Sequence, residues 1–169
     1  MAVMYAYALY ARNFPQEGWR VLELLFAQSR DFSKSRILPG VPEYFDGRGR
    51  GMYPYLTGAA SWMWLTVQTQ MFGVRGEEGN LVLEPKLLAE QFDEEGAAQI
   101  CCHSAGHNLH VRYENPLRLE PWAYQIGKVK CGEMEITGGG EKVVISRRDI
   151  YMENPEISVE LIPRRSEYV

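Results

Sequence analysis

The stretch that decides the fold spans residues 37–92 and reads ILPGVPEYFDGRGRGMYPYLTGAASWMWLTVQTQMFGVRGEEGNLVLEPKLLAEQF. Its first part is crowded with proline and glycine, which favours a structured loop over a regular element. Residues 57–72 then carry apolar side chains on nearly all sides, which predicts a buried helix that Thr57 caps and that Gly73 ends in the left-handed conformation. After Gly79 the apolar runs become short, as in β-strands. The stretch therefore predicts a change from helical to β structure.

The residues before this stretch continue the helical pattern. Val3, Tyr7 and Tyr10 recur at spacings of four and three, and Pro15 is well placed to open a second helix. Apolar residues crowd most of one side of the segment 21–26, which is typical of a helix wedged between neighbours.

The residues after it predict a sheet. Short apolar segments bounded by turn residues predict strands at 81–83, 98–102, 109–113, 124–129, 133–137 and 142–146. The glycine-containing segments 104–108 and 137–141 are predicted to be hairpin connections. The fold class is therefore predicted to be α+β, with helical residues 1–75 followed by an antiparallel β-sandwich in residues 76–169.

Composition limits the function classes. The 169 residues are 46% hydrophobic, which supports a packed core, and the net charge of −4 without a basic block argues against binding nucleic acid. No apolar stretch is long enough to span a membrane, so we expect no membrane partner. Three cysteines form no spaced disulfide framework, and a cytoplasmic location is the expectation that follows.

Three segments, PGVPEYF…GRGRGMY, YLTGAASW and GNLVLEPKL, carry a resemblance to a known family. The chain closely resembles the C-terminal catalytic region of the inverting β-glycoside phosphorylases of glycoside hydrolase family 94, formerly grouped as glycosyltransferase family 36. Cellobiose and chitobiose phosphorylases are familiar members. The resemblance implies that residues 1–75 are the C-terminal helices and phosphate-site loop of an (α/α)₆ barrel and that residues 76–169 are the C-terminal β-sandwich domain.

The resemblance also implies an activity. Family members transfer a glycosyl group from a β-linked disaccharide to inorganic phosphate with inversion, giving a sugar 1-phosphate. They are similar to inverting glycosidases except that phosphate replaces the attacking water. Phosphate is thus the expected co-substrate, with no further cofactor.

The family pattern assigns phosphate binding to a Thr-Gly pair, which Thr57 and Gly58 match. A helix N-terminus presents free N–H groups and the positive end of its dipole, and glycine lets an anion approach the backbone. On the residues alone, a simple N-cap role for Thr57 is the competing interpretation. Arg48, Arg50 and Tyr53 in the preceding loop are weaker candidates for contacting phosphate or sugar.

The family's general acid lies upstream of the part that this chain resembles, so no catalytic residue is assigned. Glu43, Asp46 and Glu84 are interpreted as loop or surface charges, because nothing in the sequence indicates the raised pKa that a general acid needs. We therefore expect a fragment that is inactive alone and whose partner is the missing part of the barrel or a second copy. The alternative is a non-catalytic module for carbohydrate binding, dimerisation or complementation.

Residues 101–110 hold five candidate metal ligands, namely Cys101, Cys102, His103, His107 and His110. Their spacing matches no common zinc motif, and strand alternation would point neighbouring residues to opposite faces. No metal site is expected there. The glycines of 137–141 lack the P-loop pattern and its following helix.

Overall fold

The computed structural model describes residues 2–37, 40–53, 58–104, 106–150 and 155–164. The fold is α+β, as predicted. The chain divides into two compact units, Met1–Gln70 and Met71–Val169. The predicted boundary, after residue 75, falls within the first strand of the second unit.

The first unit is mainly helical. Pro15 opens the second helix, as predicted from its missing N–H and restricted φ. The Asp31 carboxylate accepts a hydrogen bond from the Ser33 N–H and so caps the short third helix. The elements are α1 (Ala2–Ala11), α2 (Pro15–Arg30), α3 (Phe32–Ser35), β1 (Tyr44–Phe45), β2 (Gly51–Met52) and α4 (Gly58–Thr66), the last continuing as a π-helical turn at Val67–Met71.

Helices α1 and α2 pack closely where α2 has a glycine. A Cβ placed on Gly18 would lie 2.5 Å from Cδ2 of Tyr10, which is fully buried. The apolar pattern predicts that the helix after the loop is buried, and this prediction is wrong for the described chain. Only Ala59 and Thr66 of α4 are buried.

The second unit contains a three-stranded sheet, ordered β3-β4-β9, and a five-stranded sheet, ordered β5-β6-β10-β7-β8. The prediction of an antiparallel arrangement throughout is wrong at one pairing, because β10 runs parallel to β6. The strands are β3 (Val74–Glu77), β4 (Asn80–Leu83), β5 (Ala97–Ser104), β6 (His107–Glu114), β7 (Tyr124–Cys131), β8 (Met134–Gly140), β9 (Val143–Ile145) and β10 (Glu156–Pro163).

One of the two predicted hairpin connections is present. Ser104 pairs with His107 where β5 turns into β6, and Gly106 has a φ of +88°. The prediction for segment 137–141 is wrong, since its glycines belong to β8, where Gly140 pairs with Ile126 of β7, while β9 lies in the other sheet.

Side chains of the central strands alternate between a buried and an exposed face. The fully buried Tyr113 donates a hydrogen bond of 2.6 Å to the carbonyl of Phe72, and burial raises the pKa of its phenol well above the ordinary value.

Gly73 has a φ of +66°, as predicted. Within the described residues, no helix is both long and apolar enough to cross a bilayer.

Candidate functional site

The glycine-rich loop forms a short hairpin that Asp46 organises. One carboxylate oxygen of Asp46 accepts hydrogen bonds from the N–H groups of Arg48 and Arg50, at 2.8 and 3.0 Å. These two bonds lower the pKa of Asp46. Asp46 therefore works as an acceptor that closes the turn, and a carboxyl held in its charged form is a poor general acid.

The guanidinium groups of Arg48 and Arg50 take no part in closing the turn. Both residues are exposed, and neither side chain has an ion-pair partner among the residues that the structure describes. Their backbone N–H groups, rather than their side chains, engage Asp46. Two cationic groups are thus left to contact a ligand from solvent.

The hairpin is fixed against the rest of the first unit at two glycines. Gln28 of α2 donates a hydrogen bond of 2.9 Å to the Gly49 carbonyl. At Gly51, a Cβ would lie 2.6 Å from Cδ1 of Ile37 and 3.0 Å from the Pro42 ring. Larger residues at these positions would push the loop away, so the glycines set its position.

The start of α4 already holds an anionic oxygen. Oε2 of Glu43 accepts a hydrogen bond from the Ala59 N–H at 3.1 Å. A Cβ built on Gly58, the first residue of α4, would lie 3.6 Å from both carboxylate oxygens. Thr57, the other predicted phosphate ligand, lies outside the described residues. The observed geometry is that of a carboxylate bound at a helix N-terminus.

Sequence reasoning treats Glu43 as a loop or surface charge and so misses this contact. The side chain is exposed, yet its carboxylate accepts a hydrogen bond from the N–H of Ala59, sixteen positions further along the chain. No local motif signals such a pairing, because it depends on how the hairpin sits beside α4. The hairpin's own bonds, from the Glu43 N–H to the carbonyls of Met52 and Tyr53, put the residue there.

Among the described residues of this loop, Tyr53 is the most exposed large apolar side chain. It is 68% exposed, and its φ of +54° lies in the left-handed region that non-glycine residues avoid. Its ring lies 5.9 Å from that of Tyr44, which is also exposed. Residues held in strained backbone conformations cluster at ligand-binding and active sites, so Tyr53 stays a candidate for contacting a ligand.

The tryptophans of α4 divide between two environments. Trp62 is half-buried and makes an edge-to-face contact with Tyr7 of α1, with ring centroids 5.4 Å apart. Trp64 is 55% exposed. Trp62 thus fixes α4 on α1, whereas Trp64 faces solvent in the described chain.

Two other groups considered from sequence have structural explanations. Glu84 forms ion pairs with Arg75 and with Lys86 in the second unit, and burial lowers the pKa of Lys86.

On β5, Cys102 is buried while Cys101 and His103 are exposed, as strand alternation requires. No group of three His, Cys, Asp or Glu side chains suited to a metal ion occurs in the described segments.

No protein-family model matches this sequence, and no curated protein is significantly similar to it. A functional assignment therefore depends on the residues and their geometry.

Proposed function

We propose that this chain is the C-terminal part of an inverting β-glycoside phosphorylase and that it supplies part of the phosphate site. Thr57 and Gly58 are the proposed phosphate-binding residues, with Arg48, Arg50 and Tyr53 as loop contacts to phosphate or sugar. The general acid is assigned to no residue of this chain. Inorganic phosphate is the proposed co-substrate, a β-linked disaccharide the proposed substrate and the cytoplasm the proposed location.

One observation carries the proposal, namely the Glu43 carboxylate at the N-terminus of α4. A carboxylate oxygen and a phosphate oxygen need the same partners, which are free N–H groups and a favourable dipole. The bond to Ala59 is evidence that this helix start accepts an anion. Gly58 leaves space beside those groups, since its missing Cβ would face the same carboxylate.

The hairpin supports the sugar side of the proposal. Tyr53 and Tyr44 are two exposed aromatic side chains that lie beside each other, and the large apolar face of an aromatic ring can pack on the C–H groups of a sugar. The exposed guanidinium groups of Arg48 and Arg50 belong to the same loop and suit either sugar hydroxyls or a phosphate.

The exposed apolar side chains of the first unit support a larger helical assembly. Helix α4 is apolar on nearly all sides, a pattern normally found in buried helices. We therefore propose that these helices end an (α/α)₆ barrel completed by further helices or by a second copy, and that the two sheets form a β-sandwich. The exposed residues of the helices include Met4, Tyr5, Leu24, Phe26, Phe32, Trp64 and Leu65.

In the proposed reaction, a phosphate oxygen attacks the anomeric carbon and the glycosidic C–O bond breaks on the opposite face. The leaving oxygen takes a proton from a carboxylic acid outside this chain. The role of this chain is to hold the phosphate and offset its negative charge, which raises the effective concentration of the nucleophile.

The test is a titration of the isotopically labelled chain with inorganic phosphate, followed by NMR at the backbone amides of residues 58–60. Gly58→Ala is the diagnostic variant, since the methyl group would enter the space beside Glu43. Gly47→Ala is the matched control, because a Cβ at Gly47 meets no atom within 4 Å. We expect Gly58→Ala to weaken phosphate binding about tenfold or more, which corresponds to about 1.4 kcal/mol.

The same pair of variants separates binding from folding. Alanine favours helix more than glycine does, so Gly58→Ala should not lower the stability of α4. Equal phosphate titrations for Gly58→Ala and the unmodified chain would contradict the proposal. Phosphate-induced shifts confined to residues outside 58–60 would contradict it as well.

A non-catalytic module is the second candidate, favoured by the same exposed apolar helices. Such a module would bind a sugar or a second copy without using phosphate. It predicts that a disaccharide alone shifts the amides of Tyr44 and Tyr53 while phosphate leaves residues 58–60 unchanged.

A further inference from the structure

A cleft in the second unit has the features of a binding site and is not part of the region around Gly58. It consists of two neighbouring hollows that share Gly79, Asn80 and Arg147 in their lining: a narrow part of about 130 Å³ and a shallow, open part of about 470 Å³. The walls come from the β3–β4 turn, the end of the β5–β6 hairpin and a short helical turn at Arg147–Asp149.

Two arginines line the open part of the cleft. Arg147 and Arg148 are both exposed, and across the described ranges neither forms an ion pair. Guanidinium groups bind phosphate oxygens through charge-assisted, often bidentate hydrogen bonds. This wall of the cleft therefore favours a phosphate group.

Backbone contacts hold both arginines in place. The Arg147 N–H donates to Oδ1 of Asn80 at 3.4 Å, which ties the helical turn to the β3–β4 hairpin. The Arg148 N–H donates to Oγ of Ser146 at 3.3 Å, capping the turn. Because the backbone is held on two sides, the arginine side chains leave the surface at a defined point of the cleft.

The narrow part has a mixed lining suited to a sugar ring. Leu81, Leu109 and Ile150 are buried and form an apolar floor. Ser104 and His107 add a hydroxyl and an imidazole at the rim. Small-molecule sites in proteins commonly combine an apolar floor with a few polar groups. The floor packs against the C–H groups of the ligand, and the polar groups hydrogen-bond its hydroxyls.

The open part of the cleft also has an acidic residue in its lining, and a carboxylate can accept hydrogen bonds from hydroxyl groups. Glu78 lines the open part, and its φ of +51° with the +81° of Gly79 defines a tight two-residue hairpin turn. This turn holds a non-glycine residue in the left-handed region. An isolated oxyanion would be repelled by Glu78, whereas a phosphorylated polyol satisfies both the arginines and the carboxylate.

We propose that this cleft is a second binding site and that its ligand is a sugar phosphate. The phosphate contacts Arg147 and Arg148, the hydroxyls contact Glu78, Asn80 and the rim, and one face of the ring lies on the apolar floor. All of these residues belong to the second unit, so the site does not depend on the proposed function of the first.

The test is calorimetric titration of the full chain with glucose 1-phosphate, glucose 6-phosphate, glucose and inorganic phosphate. We expect a sugar phosphate to bind more tightly than glucose or phosphate alone, with NMR shifts at the amides of Gly79, Asn80 and His107. The double variant Arg147→Gln with Arg148→Gln should weaken sugar phosphate binding at least about tenfold, since two charge-assisted hydrogen-bonding groups are lost.

Arg112→Gln is the matched control. Arg112 is a half-exposed arginine of the same unit on β6, where it pairs loosely with Glu95 and Glu114 at 3.7 and 3.6 Å. The Arg112→Gln variant should bind sugar phosphate as the unmodified chain does. All titrations are repeated in a Gly58→Ala background, so that binding at the site proposed for phosphorolysis does not contribute to the result.

Three results would overturn the proposal. Equal binding of sugar phosphate by the double variant and the unmodified chain would show that the arginines are not involved. Equal affinity for inorganic phosphate and for both sugar phosphates would show that the sugar contributes nothing to binding. No binding of either sugar phosphate would show that the cleft is not a site at all.

Discussion

Glu43 occupies the helix start where the proposed phosphate would bind, so the two anions compete. Glu43→Gln removes the negative charge while keeping an acceptor oxygen for the Ala59 N–H. We expect the affinity for inorganic phosphate to rise severalfold and the free energy of unfolding to fall by up to about 1 kcal/mol, as for a weakened helix cap. Phosphate titration and urea unfolding measure the two effects.

Glu94→Gln is the control for that variant, because Glu94 is an exposed residue of the second unit. If Glu43→Gln loses stability but binds phosphate no better than Glu94→Gln, then Glu43 is a helix cap and nothing more.

Asp46 gives the loop a dependence on pH. Hydrogen bonds from the N–H groups of Arg50 and Arg48 lower its pKa below the ordinary value of 3.8. The folded loop therefore favours the charged carboxylate, and its stabilisation is present above pH 3.8 and lost as the pH falls through the lowered pKa. Amide exchange protection at Arg48 and Arg50 should fall over that range.

Asp46→Asn should remove most of this pH dependence. Asp93→Asn is a matched control, since Asp93 likewise accepts hydrogen bonds from two backbone N–H groups, those of Glu95 and Ala97. Protection at Arg48 that follows pH equally in Asp46→Asn and Asp93→Asn would mean that another group titrates.

At the scale of elements, Gly73 joins the end of the helical segment to β3. Its Cβ would lie 1.9 Å from the carbonyl oxygen of Glu84, a backbone atom that cannot move alone. Gly79 has a similar φ, +81° against +66°, but no atom lies within 4 Å of its Cβ position. The two glycines therefore share the conformational requirement and differ in the space around them.

We expect Gly79→Ala to cost about 1–2 kcal/mol, the penalty of a left-handed alanine. Gly73→Ala should cost at least about 2 kcal/mol more, because the backbone must also shift to relieve overpacking. Urea unfolding of both variants measures the difference. Equal losses would mean that the Glu84 carbonyl moves without cost.

The local signals in the chain predict elements well and their partners poorly. Pro15 and Gly73 mark a helix start and end because each acts on its own backbone. Strand β10 has the alternation of Ile157, Val159 and Leu161, yet it is missing from the predicted strands. Its parallel pairing with β6 follows from no local pattern, since only the assembled sheet defines which strand lies between β6 and β7.

The candidate functional site shows the same contrast between local features, which the sequence predicts, and contacts between distant segments, which it does not. The glycine-rich loop and the exposed character of Arg48 and Arg50 are visible in the residues themselves. The contact between Glu43 and Ala59 joins segments sixteen positions apart, so no local motif around either residue predicts it. The cleft at Arg147 is lined by residues from three separate segments of the chain, so no local sequence pattern predicts it.

At the scale of the whole molecule, the exposed apolar side chains of the first unit should drive association. Burial of apolar surface is worth about 25 cal/mol per Å², so covering a few hundred Å² stabilises a complex by several kcal/mol. We expect sedimentation velocity to show concentration-dependent self-association of the chain. The double variant Leu24→Glu with Trp64→Glu, at positions 54% and 55% exposed, should shift it towards monomer.

Leu117→Glu is the control, since Leu117 is 63% exposed but belongs to the second unit. If Leu117→Glu disrupts association as strongly as the helical double variant, the association surface is not on the helices.

The position of β10 also bears on how the protein is made. This strand lies at the centre of the five-stranded sheet, yet of the described strands it is the farthest along the chain. A ribosome must therefore translate through residue 163 before β6 and β7 can acquire their shared neighbour. Until then each has an open edge that can pair with another nascent chain. A stop codon just before Glu156 would leave both of these sheet edges unpaired in every copy.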